Sequence, residues 1–323
     1  MVSGPADGAS SAPPAESFAR RTWHGAQLDV DDLLAGLGGA VSVVIPALDE
    51  QDTVAAVVAT ATELHRTGLV DEVVVIDGGS SDATRTFATA AGARVEDQAA
   101  ALQAAGPGRG KGDALWKGLA LTRGAYVVFV DADVHEPSAS TITGLLAPFV
   151  LAPELQLVKA AYDRTLTSAD SVAATGGGRV TELMARPLLA ALWPQLAWLA
   201  QPLASEYAGR RAALESVPFV QGYGVELALL VDVAARYGAD AIGQVDLGHR
   251  THRHQPLPAL GRMASEILHV ALSRARVTAA TSMPVLPQPA RDRDGRLTIE
   301  VHEVSVAERP PLATWRERAM PRD

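Results

Sequence analysis

Two aspartates, one residue apart, directly follow a run of five apolar residues, and this junction constrains the fold more than any other part of the chain. The run is 126–130, and the carboxylates belong to Asp131 and Asp133. Consecutive apolar residues rich in β-branched types predict a strand that is buried on both faces. Because open α/β sheets bind ligands at the carboxyl ends of their strands, the sequence predicts two anions at a ligand-binding edge.

Strand and helix patterns alternate from residue 41 to residue 133, which predicts a mostly parallel, twisted sheet flanked by helices and joined by right-handed crossovers. The predicted strands are 41–45, 72–76, 94–95 and 126–130, and the predicted helices are 52–65, 82–91 and 112–121. Later in the chain the pattern is looser, with predicted strands 155–161 and 241–245 and predicted helices 181–191, 225–236 and 257–275.

The chain divides into four segments by composition. Residues 1–20 are rich in Ala, Ser, Pro and Gly without apolar periodicity, so they are expected to be disordered. Residues 21–150 are expected to bind a ligand, and residues 151–277 are expected to cap it as part of the same compact α/β unit. In residues 278–323 Pro, Arg and Asp dominate, which predicts an extended or mobile tail.

Composition excludes several classes of protein. The chain has 28 Lys and Arg against 37 Asp and Glu, a net charge of −9, which argues against nucleic acid or an anionic membrane as its main partner. It has no cysteine, which excludes disulfides, zinc-thiolate sites and thiol catalysis and suits a cytoplasmic protein. The most apolar stretch, 188–204, falls short of a membrane span and is expected to be a buried or subunit-contact helix pair.

Two interpretations of Asp131 and Asp133 remain open from the residues alone. Neighbouring carboxylates repel each other unless a cation lies between them, and the usual cation is a hard divalent ion that also holds a diphosphate. Alternatively, the segment is a plain strand-to-turn junction, where Asp is common. Acidic residues also follow the first predicted strand and end the second, where Asp77 could accept a hydrogen bond from the N3–H of a pyrimidine base.

Residues 107–112, which we call the basic loop, precede the predicted helix 112–121. Its backbone N–H groups and Lys111 could contact a diphosphate at the start of that helix. The glycine spacing differs from that of a P-loop, and no Ser or Thr follows the lysine. The alternative is a surface turn with solvated charges.

Together these features resemble the nucleotide-diphospho-sugar transferase (GT-A) fold, in which Asp-x-Asp carboxylates hold Mg²⁺ or Mn²⁺ on a sugar nucleotide. Motifs in the second half narrow the resemblance to the actinobacterial glucosyl-3-phosphoglycerate synthases, a family of retaining glycosyltransferases. These motifs are the three-glycine run before Arg179 with residues 179–189, the segment 222–226 and the segment 244–253. The resemblance covers residues 40–275.

The resemblance implies transfer of glucose from UDP-glucose to 3-phosphoglycerate by a cytoplasmic homodimer, with no membrane span and no nucleic-acid partner. Asp133 and His252 would ligate Mg²⁺ or Mn²⁺, Lys111 would support the diphosphate, and Glu226 would lie at the sugar. The nucleotide sugar would contact Pro46, Ala47, Leu48, Asp49, Glu50, Asp77, Gly78, Gly79, Ser80, Lys111, Asp131, Ala132 and Asp133. The acceptor would contact Gly178, Arg179, Thr181, Arg250 and His254.

The chain departs from the family pattern at three positions, having Asp49 for Asn, Ala132 for Ser and His254 for Asn. The last of these lies beside the acceptor in the family. Alternative functions are a related transferase that uses mannose or another acceptor, a nucleotidyltransferase, and a sugar-nucleotide sensor without turnover. Nucleotidyltransferases usually have a basic glycine-rich loop after the first strand, where this chain has residues 46–50.

Overall fold

The protein is described here by a computed structural model that covers residues 14–25, 27–168, 171–174, 178–251, 256–278, 285–291 and 293–319. The strands are β1 (Thr22–His24), β2 (Val41–Ala47), β3 (Glu72–Asp77), β4 (Arg94–Asp97), β5 (Tyr126–Phe129), β6 (Leu157–Ser168), β7 (Ser171–Ala174), β8 (Tyr207–Arg210), β9 (Phe219–Val220), β10 (Ile242–Thr251), β11 (Val285–Arg291), β12 (Leu297–Glu303) and β13 (Glu308–Arg309). The helices are α1 (Pro14–Arg21), α2 (Val30–Gly36), α3 (Val54–Arg66), α4 (Thr84–Ala90), α5 (Lys111–Leu121), α6 (Ala139–Leu151), α7 (Arg186–Leu192), α8 (Arg211–Glu215), α9 (Val225–Tyr237), α10 (Leu257–Arg274) and α11 (Leu312–Ala319).

Nine strands of the described residues form one sheet in the order β1-β10-β6-β8-β5-β2-β3-β4, with β7 paired to β6. The pairs β2–β3, β2–β5, β3–β4, β6–β10 and β1–β10 are parallel, which confirms the predicted mostly parallel α/β sheet. The unpredicted β8 lies antiparallel between β5 and β6. Its four residues include Gly209 and Arg210 and have no strand pattern, so only its neighbours define it as a strand.

Both faces of the sheet are covered, which explains the continuous apolar runs. Along β2, Val43 and Ile45 pack into one core with α2, α3 and α6, whereas Val44 packs into a second core with α5, α9 and α10. Successive side chains of a strand point to opposite faces, so a strand between two helical layers needs apolar residues at every position.

The expected disorder of residues 1–20 is wrong for its last part, because α1 begins at Pro14. Residues 1–13 lie outside the described residues. The helix ends at the buried Arg21, whose Nη1 donates to the carbonyl of Ala239 at 3.3 Å and which pairs with Asp240. These partners are more than 200 residues away in sequence, so local composition could not indicate that residues 14–21 form an ordered helix.

In the tail 278–323, which was expected to be extended or mobile, the structure describes three strands and a helix. Strands β11 and β12 form an antiparallel hairpin, and β13 pairs with β9. On α11, Leu312 is fully buried and the Trp315 ring meets the Trp116 ring edge-on, with centroids 5.3 Å apart. The tail is therefore part of the compact unit, because a few apolar residues among many polar ones anchor it.

The apolar stretch 188–204 is only partly helical. It contains most of α7 and a short 3₁₀ turn, Pro194–Leu196, rather than the expected helix pair. Leu196, Trp198 and Leu199 are buried in the second core, so these side chains are used within the chain. No helix in the described ranges is long and apolar enough to cross a membrane.

Candidate active site

The carboxyl ends of β5, β2 and β3 meet at one edge of the sheet, as the sequence predicts, because the three strands are parallel neighbours. Residues that follow these strands form one wall of a cleft of about 500 Å³. The predicted site residues that line it are Pro46, Ala47, Leu48, Glu50, Gly78, Lys111, Asp131, Ala132 and Asp133. The structure therefore brings the two aspartates, the basic loop and the first turn to one place.

The turns after β2 and β3 are joined by reciprocal hydrogen bonds. Asp49 Oδ1 accepts from the backbone N–H of Ser81 at 2.8 Å, and the Asp49 backbone N–H donates to Ser80 Oγ at 2.9 Å. Asp49 has a φ of 55°, a left-handed conformation that Asn and Asp adopt more readily than most residues. Asp and Asn both offer a side-chain oxygen acceptor, so Asp49 can fill the position where the resemblance expects Asn.

Asp77 supports the second turn from behind and is fully buried. Its carboxylate accepts from the backbone N–H groups of Gly79 and Ser80 at 3.3 Å and from Arg85 Nη1 at 3.1 Å. Because it has no exposed surface, the expected contact of Asp77 with a pyrimidine base is not favoured in this conformation. Gly78 is the residue of this turn that lines the cleft.

Lys111 is held between two carboxylates at the cleft floor. Its Nζ lies 2.5 Å from Asp131 Oδ1 and 3.7 Å from Glu226 Oε1, and Ser205 Oγ donates to the other oxygen of Asp131. Burial alone would lower the pKa of Lys111, but Asp131 and Glu226 outweigh it and hold the pKa above its usual value. Burial raises the pKa of Glu226, and Lys111 and Lys159 oppose that shift only in part. Lys111 is therefore a fixed ammonium at physiological pH.

Lys159, which the sequence analysis missed, lies buried in β6 beneath this cluster. Its Nζ donates to the carbonyl of Ala204 and lies 4.5 Å from the centre of the Tyr207 ring, a cation–π contact. Burial lowers the pKa of Lys159 to about 7, although the charge of Glu226 acts in the opposite direction. The available signal was a single lysine within the predicted strand 155–161, and charged residues are rarely buried.

Replacing Lys159 with Met is expected to make stability less dependent on pH. Below pH 7 Lys159 is protonated in both the folded and the unfolded state, so burial of its charge lowers the free energy of unfolding by the full amount. Between pH 7 and 10 Lys159 is protonated only in the unfolded state, so the free energy of unfolding of the wild type rises with pH. Urea unfolding should therefore show the variant about 2 kcal/mol more stable than wild type at pH 6, with a smaller gain at pH 9.

Lys117→Met is the matched control for that measurement. Lys117 is also fully buried, but its Nζ lies 3.5 Å from Asp113, so its loss leaves a buried carboxylate without this partner. This variant should be less stable than wild type at both pH values. A stability difference between Lys159→Met and wild type that is the same at pH 6 and pH 9 would contradict the assignment.

Close backbone contacts explain the glycines of the basic loop. A Cβ on Gly112 would lie 1.7 Å from the carbonyl oxygen of Val220, and a Cβ on Gly110 would lie 2.7 Å from that of Gln221. Gly110 also has a φ of +82°, which disfavours other residues. The loop thus packs directly on residues 220–222 at the start of α5, where Lys111 is the first helical residue.

The described residues offer Asp133 as a metal ligand. It is exposed and lines the cleft, and the neighbouring Asp131 accepts hydrogen bonds from Lys111 and Ser205. Within the described ranges no three His, Asp or Glu side chains are grouped to hold a metal ion. His252 and His254 lie outside those ranges, as does the side chain of Arg250. The Arg250 backbone lies near the carboxyl end of β10, a strand parallel to β6.

Gly178, Arg179 and Thr181 are the predicted acceptor residues whose surroundings the structure describes. Arg179 is exposed, and the buried Thr181 begins a π-helical turn, Thr181–Ala185, which continues into α7. Neither residue, nor Gly178, is among the described residues that line the cleft. Single π-helical turns are frequent at functional sites, but the acceptor contacts stay a prediction.

The opposite wall of the cleft comes from residues that the sequence analysis did not select. Tyr223, Glu266 and Ser305 line it, and the cleft is further lined by Gln98, which follows β4, and by Arg109 of the basic loop. Glu266 Oε2 accepts from the backbone N–H of Tyr223 at 2.7 Å, and burial raises the pKa of this carboxyl. Tyr223 and Arg109 lie in quoted motifs, and Gln98 follows a predicted strand of the same sheet. Glu266 and Ser305 have no local signal, because only the packing of α10 and the tail brings them here.

Comparison with known proteins shows the family. The model of glycosyl transferase family 2 matches residues 42–155. Glucosyl-3-phosphoglycerate synthase of Mycolicibacterium smegmatis is 46% identical over 302 residues, which cover 94% of this chain and 97% of the relative.

Solved structures agree with that match. The glucosyl-3-phosphoglycerate synthase of Mycobacterium tuberculosis, in complex with Mn²⁺, UDP-glucose and phosphoglyceric acid, has a TM-score of 0.81 and 42% identity over 91% of this chain and 98% of that one. The same enzyme has also been solved with Mg²⁺ and UDP. Mannosyl-3-phosphoglycerate synthase of Rubrobacter xylanophilus has a TM-score of 0.85 and 33% identity over 94% and 98% of the two chains. The chain therefore belongs to the glucosyl-3-phosphoglycerate synthase family of glycosyltransferases.

Proposed function

We propose that this chain transfers glucose from UDP-glucose to D-3-phosphoglycerate with retention of the anomeric configuration. The observation that supports this most strongly is the cleft itself, where Lys111 and Asp133 face the turn 46–50. A relative 42% identical to this chain has been solved with Mn²⁺, UDP-glucose and phosphoglyceric acid. A nucleotide sugar would lie in the cleft, with its base toward the turns and its diphosphate toward Lys111.

Mg²⁺ or Mn²⁺ would be held by Asp133, together with His252 and diphosphate oxygens. An exposed carboxylate in the cleft fits such an ion, because hard divalent cations prefer oxygen ligands and accept few protein ligands when phosphates complete the shell. When bound, the ion would neutralise negative charge on the departing diphosphate.

The protein's own cations act on the same leaving group. Lys111 is the first residue of α5, and Asp131 holds its ammonium in place, so the charge can stabilise the developing negative charge without reorganising. Gly178, Arg179 and Thr181, with Arg250 and His254, would hold the phosphate and carboxylate of the acceptor. The guanidinium fork matches both anions.

Same-face attack is the favoured route to retention. A double displacement needs an ionised carboxylate nucleophile, and Glu226 is the candidate. Burial raises the pKa of Glu226, and its Oε1 lies 3.7 Å from Lys111, so it is held as a buried partner of the floor lysines. In the proposed step the acceptor hydroxyl attacks the anomeric carbon, the bond to the diphosphate breaks, and a diphosphate oxygen takes the hydroxyl proton. Glu226 orients the sugar hydroxyls.

Glu226→Gln is expected to lower kcat by about 10- to 100-fold, because a small loss of sugar orientation is costly even when binding persists. Steady-state kinetics with both substrates would measure this. Near-normal turnover would remove the orienting role. Glu226→Ala assayed with azide tests the other route: a glycosyl azide with inverted anomeric configuration would show azide replacing a carboxylate nucleophile on the opposite face and would contradict same-face attack.

The activity itself is tested by UDP release from the purified protein with Mg²⁺ and UDP-glucose, with and without D-3-phosphoglycerate. Release that depends on the acceptor supports the proposal. Slow release that is indifferent to it would leave a transferase with another acceptor and would direct attention to His254. Release of pyrophosphate from a nucleoside triphosphate and a sugar phosphate would instead indicate a nucleotidyltransferase.

A mannosyl donor is the second candidate function. The mannosyl-3-phosphoglycerate synthase of Rubrobacter xylanophilus superposes with a higher TM-score, 0.85 against 0.81, although its identity is lower. The two nucleotide sugars, UDP-glucose and GDP-mannose, should therefore be compared at equal concentration. A higher kcat/KM for the mannosyl donor would replace glucose in the proposal.

A cytoplasmic homodimer is also proposed. The stretch 188–204 is a poor contact because its apolar side chains are used in the core. The hairpin β11–β12 exposes Val285, Leu297, Ile299 and Val301 and is the better candidate surface. Light scattering should give twice the chain mass of 33.7 kDa, and cell fractionation tests the location.

A further inference from the structure

The C-terminal segment 304–319 reaches the foot of the basic loop through one side chain. Arg309, on β13, is 6% exposed, and its Nε donates to Asp113 Oδ1 at 2.6 Å. Its Nη2 donates to the carbonyl of Gly106 at 3.1 Å, and its Nη1 donates to that of Ala105. One guanidinium thus joins the tail to the chain on both sides of the basic loop.

Asp113 is connected to the backbone of the basic loop through Gln98. It is fully buried, and its Oδ2 accepts from Gln98 Nε2 at 2.8 Å. The same Gln98 nitrogen donates to the carbonyl of Gly110 at 3.0 Å, the residue directly before Lys111. A Cβ on Gly108 would lie 2.0 Å from Asp113 Oδ1 and 2.1 Å from Arg309 Nη2, so the loop packs directly on the ion pair.

Backbone hydrogen bonds form a second connection between the tail and the loop. Strand β13 pairs with β9, and the N–H of Gln221 donates to the carbonyl of Ala307 at 2.8 Å. The carbonyl of Gln221 in turn accepts from the N–H of Gly112 at 2.9 Å. Ser305, between the hairpin and β13, lines the cleft itself.

We propose that Arg309 is a positioning residue for the basic loop, and that the C-terminal segment thereby sets the affinity of the cleft for a nucleoside diphosphate. Most of the loop is glycine or short side chains, so it has little of its own to fix its position. Loss of Arg309 would remove the cation 2.6 Å from the buried carboxylate of Asp113 and leave it with Lys117 at 3.5 Å and the Gln98 amide, which is costly. The inference rests on the proposed function, because it takes the cleft as the diphosphate site.

The test compares Arg309→Lys with Arg316→Lys. Lysine keeps the charge at position 309 but cannot make the three separate contacts of the guanidinium. Arg316 anchors the same tail elsewhere: its Nη1 lies 2.7 Å from Glu215 Oε1 on α8, away from the basic loop. Arg309→Lys should lower the melting temperature more than Arg316→Lys, because Asp113 is fully buried whereas Arg316 is partly exposed. The affinity of the folded variants for UDP therefore tests positioning, and the melting temperature measures the structural cost.

Calorimetric titration of each protein with UDP and Mg²⁺ gives the result. Supporting contacts around a bound ion typically contribute about tenfold or more to affinity, so Arg309→Lys should bind UDP about tenfold more weakly, with an unchanged KM for 3-phosphoglycerate. Arg316→Lys should bind UDP like the wild type. A folded Arg309→Lys protein with wild-type affinity for UDP overturns the inference.

Two further outcomes are decisive. If Arg309→Lys does not fold, Gly108→Ala is used instead, because its added Cβ would disturb the contact between the loop and the Asp113–Arg309 ion pair. Weaker UDP binding by Gly108→Ala supports the inference, and unchanged binding overturns it. If the wild type does not bind UDP at all, the proposed function fails and the inference fails with it. That outcome is distinct, because it appears before any variant is compared.

Discussion

Replacing Asp133 with Ala is expected to reduce UDP release in the presence of 3-phosphoglycerate by at least about 100-fold, the cost of losing one preorganised electrostatic contact to the leaving group. Asp133 is exposed in the cleft at the end of the β5 segment and is the carboxylate that the described residues offer to a divalent ion. Without it, the charge of the diphosphate would be opposed mainly by Lys111. Initial rates at saturating substrate and several Mg²⁺ concentrations measure the loss.

Glu136→Ala is the matched control for Asp133→Ala. Glu136 is an exposed acid three residues further along the same loop, and it does not belong to the described lining of the cleft. The Glu136→Ala variant therefore shows the effect of removing one nearby negative charge. Its rate of UDP release should stay within about twofold of the wild-type rate, as expected for an exposed charge. Calorimetry should show that UDP binding to Asp133→Ala no longer depends on Mg²⁺. A variant that keeps a tenth or more of the wild-type rate would remove Asp133 from the site.

Replacing Lys111 with Met should have a comparable effect for a different reason. The variant removes the cation that lies 2.5 Å from Asp131 and 3.7 Å from Glu226, so kcat should fall by about 100- to 1,000-fold. The two carboxylates also lose their shared partner. Because both members of the Lys111–Asp131 pair keep some exposure, the free energy of unfolding should fall by only about 2 kcal/mol.

Lys111→Arg separates the two effects of that change. Arginine keeps the positive charge between Asp131 and Glu226, so stability should stay within about 1 kcal/mol of wild type. The larger, planar group should displace the diphosphate, and kcat should remain well below that of the wild type. Rapid-quench kinetics and urea unfolding of the three proteins together give the comparison. Equal kcat values for Lys111→Met and wild type would exclude leaving-group support by this residue.

Local pattern was sufficient for the sheet edge that forms the first wall of the cleft. The apolar runs that became β2, β3 and β5 are buried on both faces, and a strand of this kind is recognisable from its own residues. Parallel neighbours then place their carboxyl ends together, so the Asp131–Asp133 segment, the turn 46–50 and Gly78 were correctly grouped. Lys111 was found because a glycine-rich basic segment opened a predicted helix.

What the sequence by itself determined is the α/β class, the parallel core of the sheet and the carboxylate-bearing edge, because each depends on periodicities within a few residues. Tertiary structure alone decided the antiparallel β8, the buried Lys159 beneath Glu226 and the far wall of the cleft. Asp113 and Arg309 show the reason. They lie 196 residues apart in sequence, and no local pattern around either residue predicts that it pairs with the other. A buried ion pair exists only when the fold removes both partners from water together, so its place is known only from the folded chain.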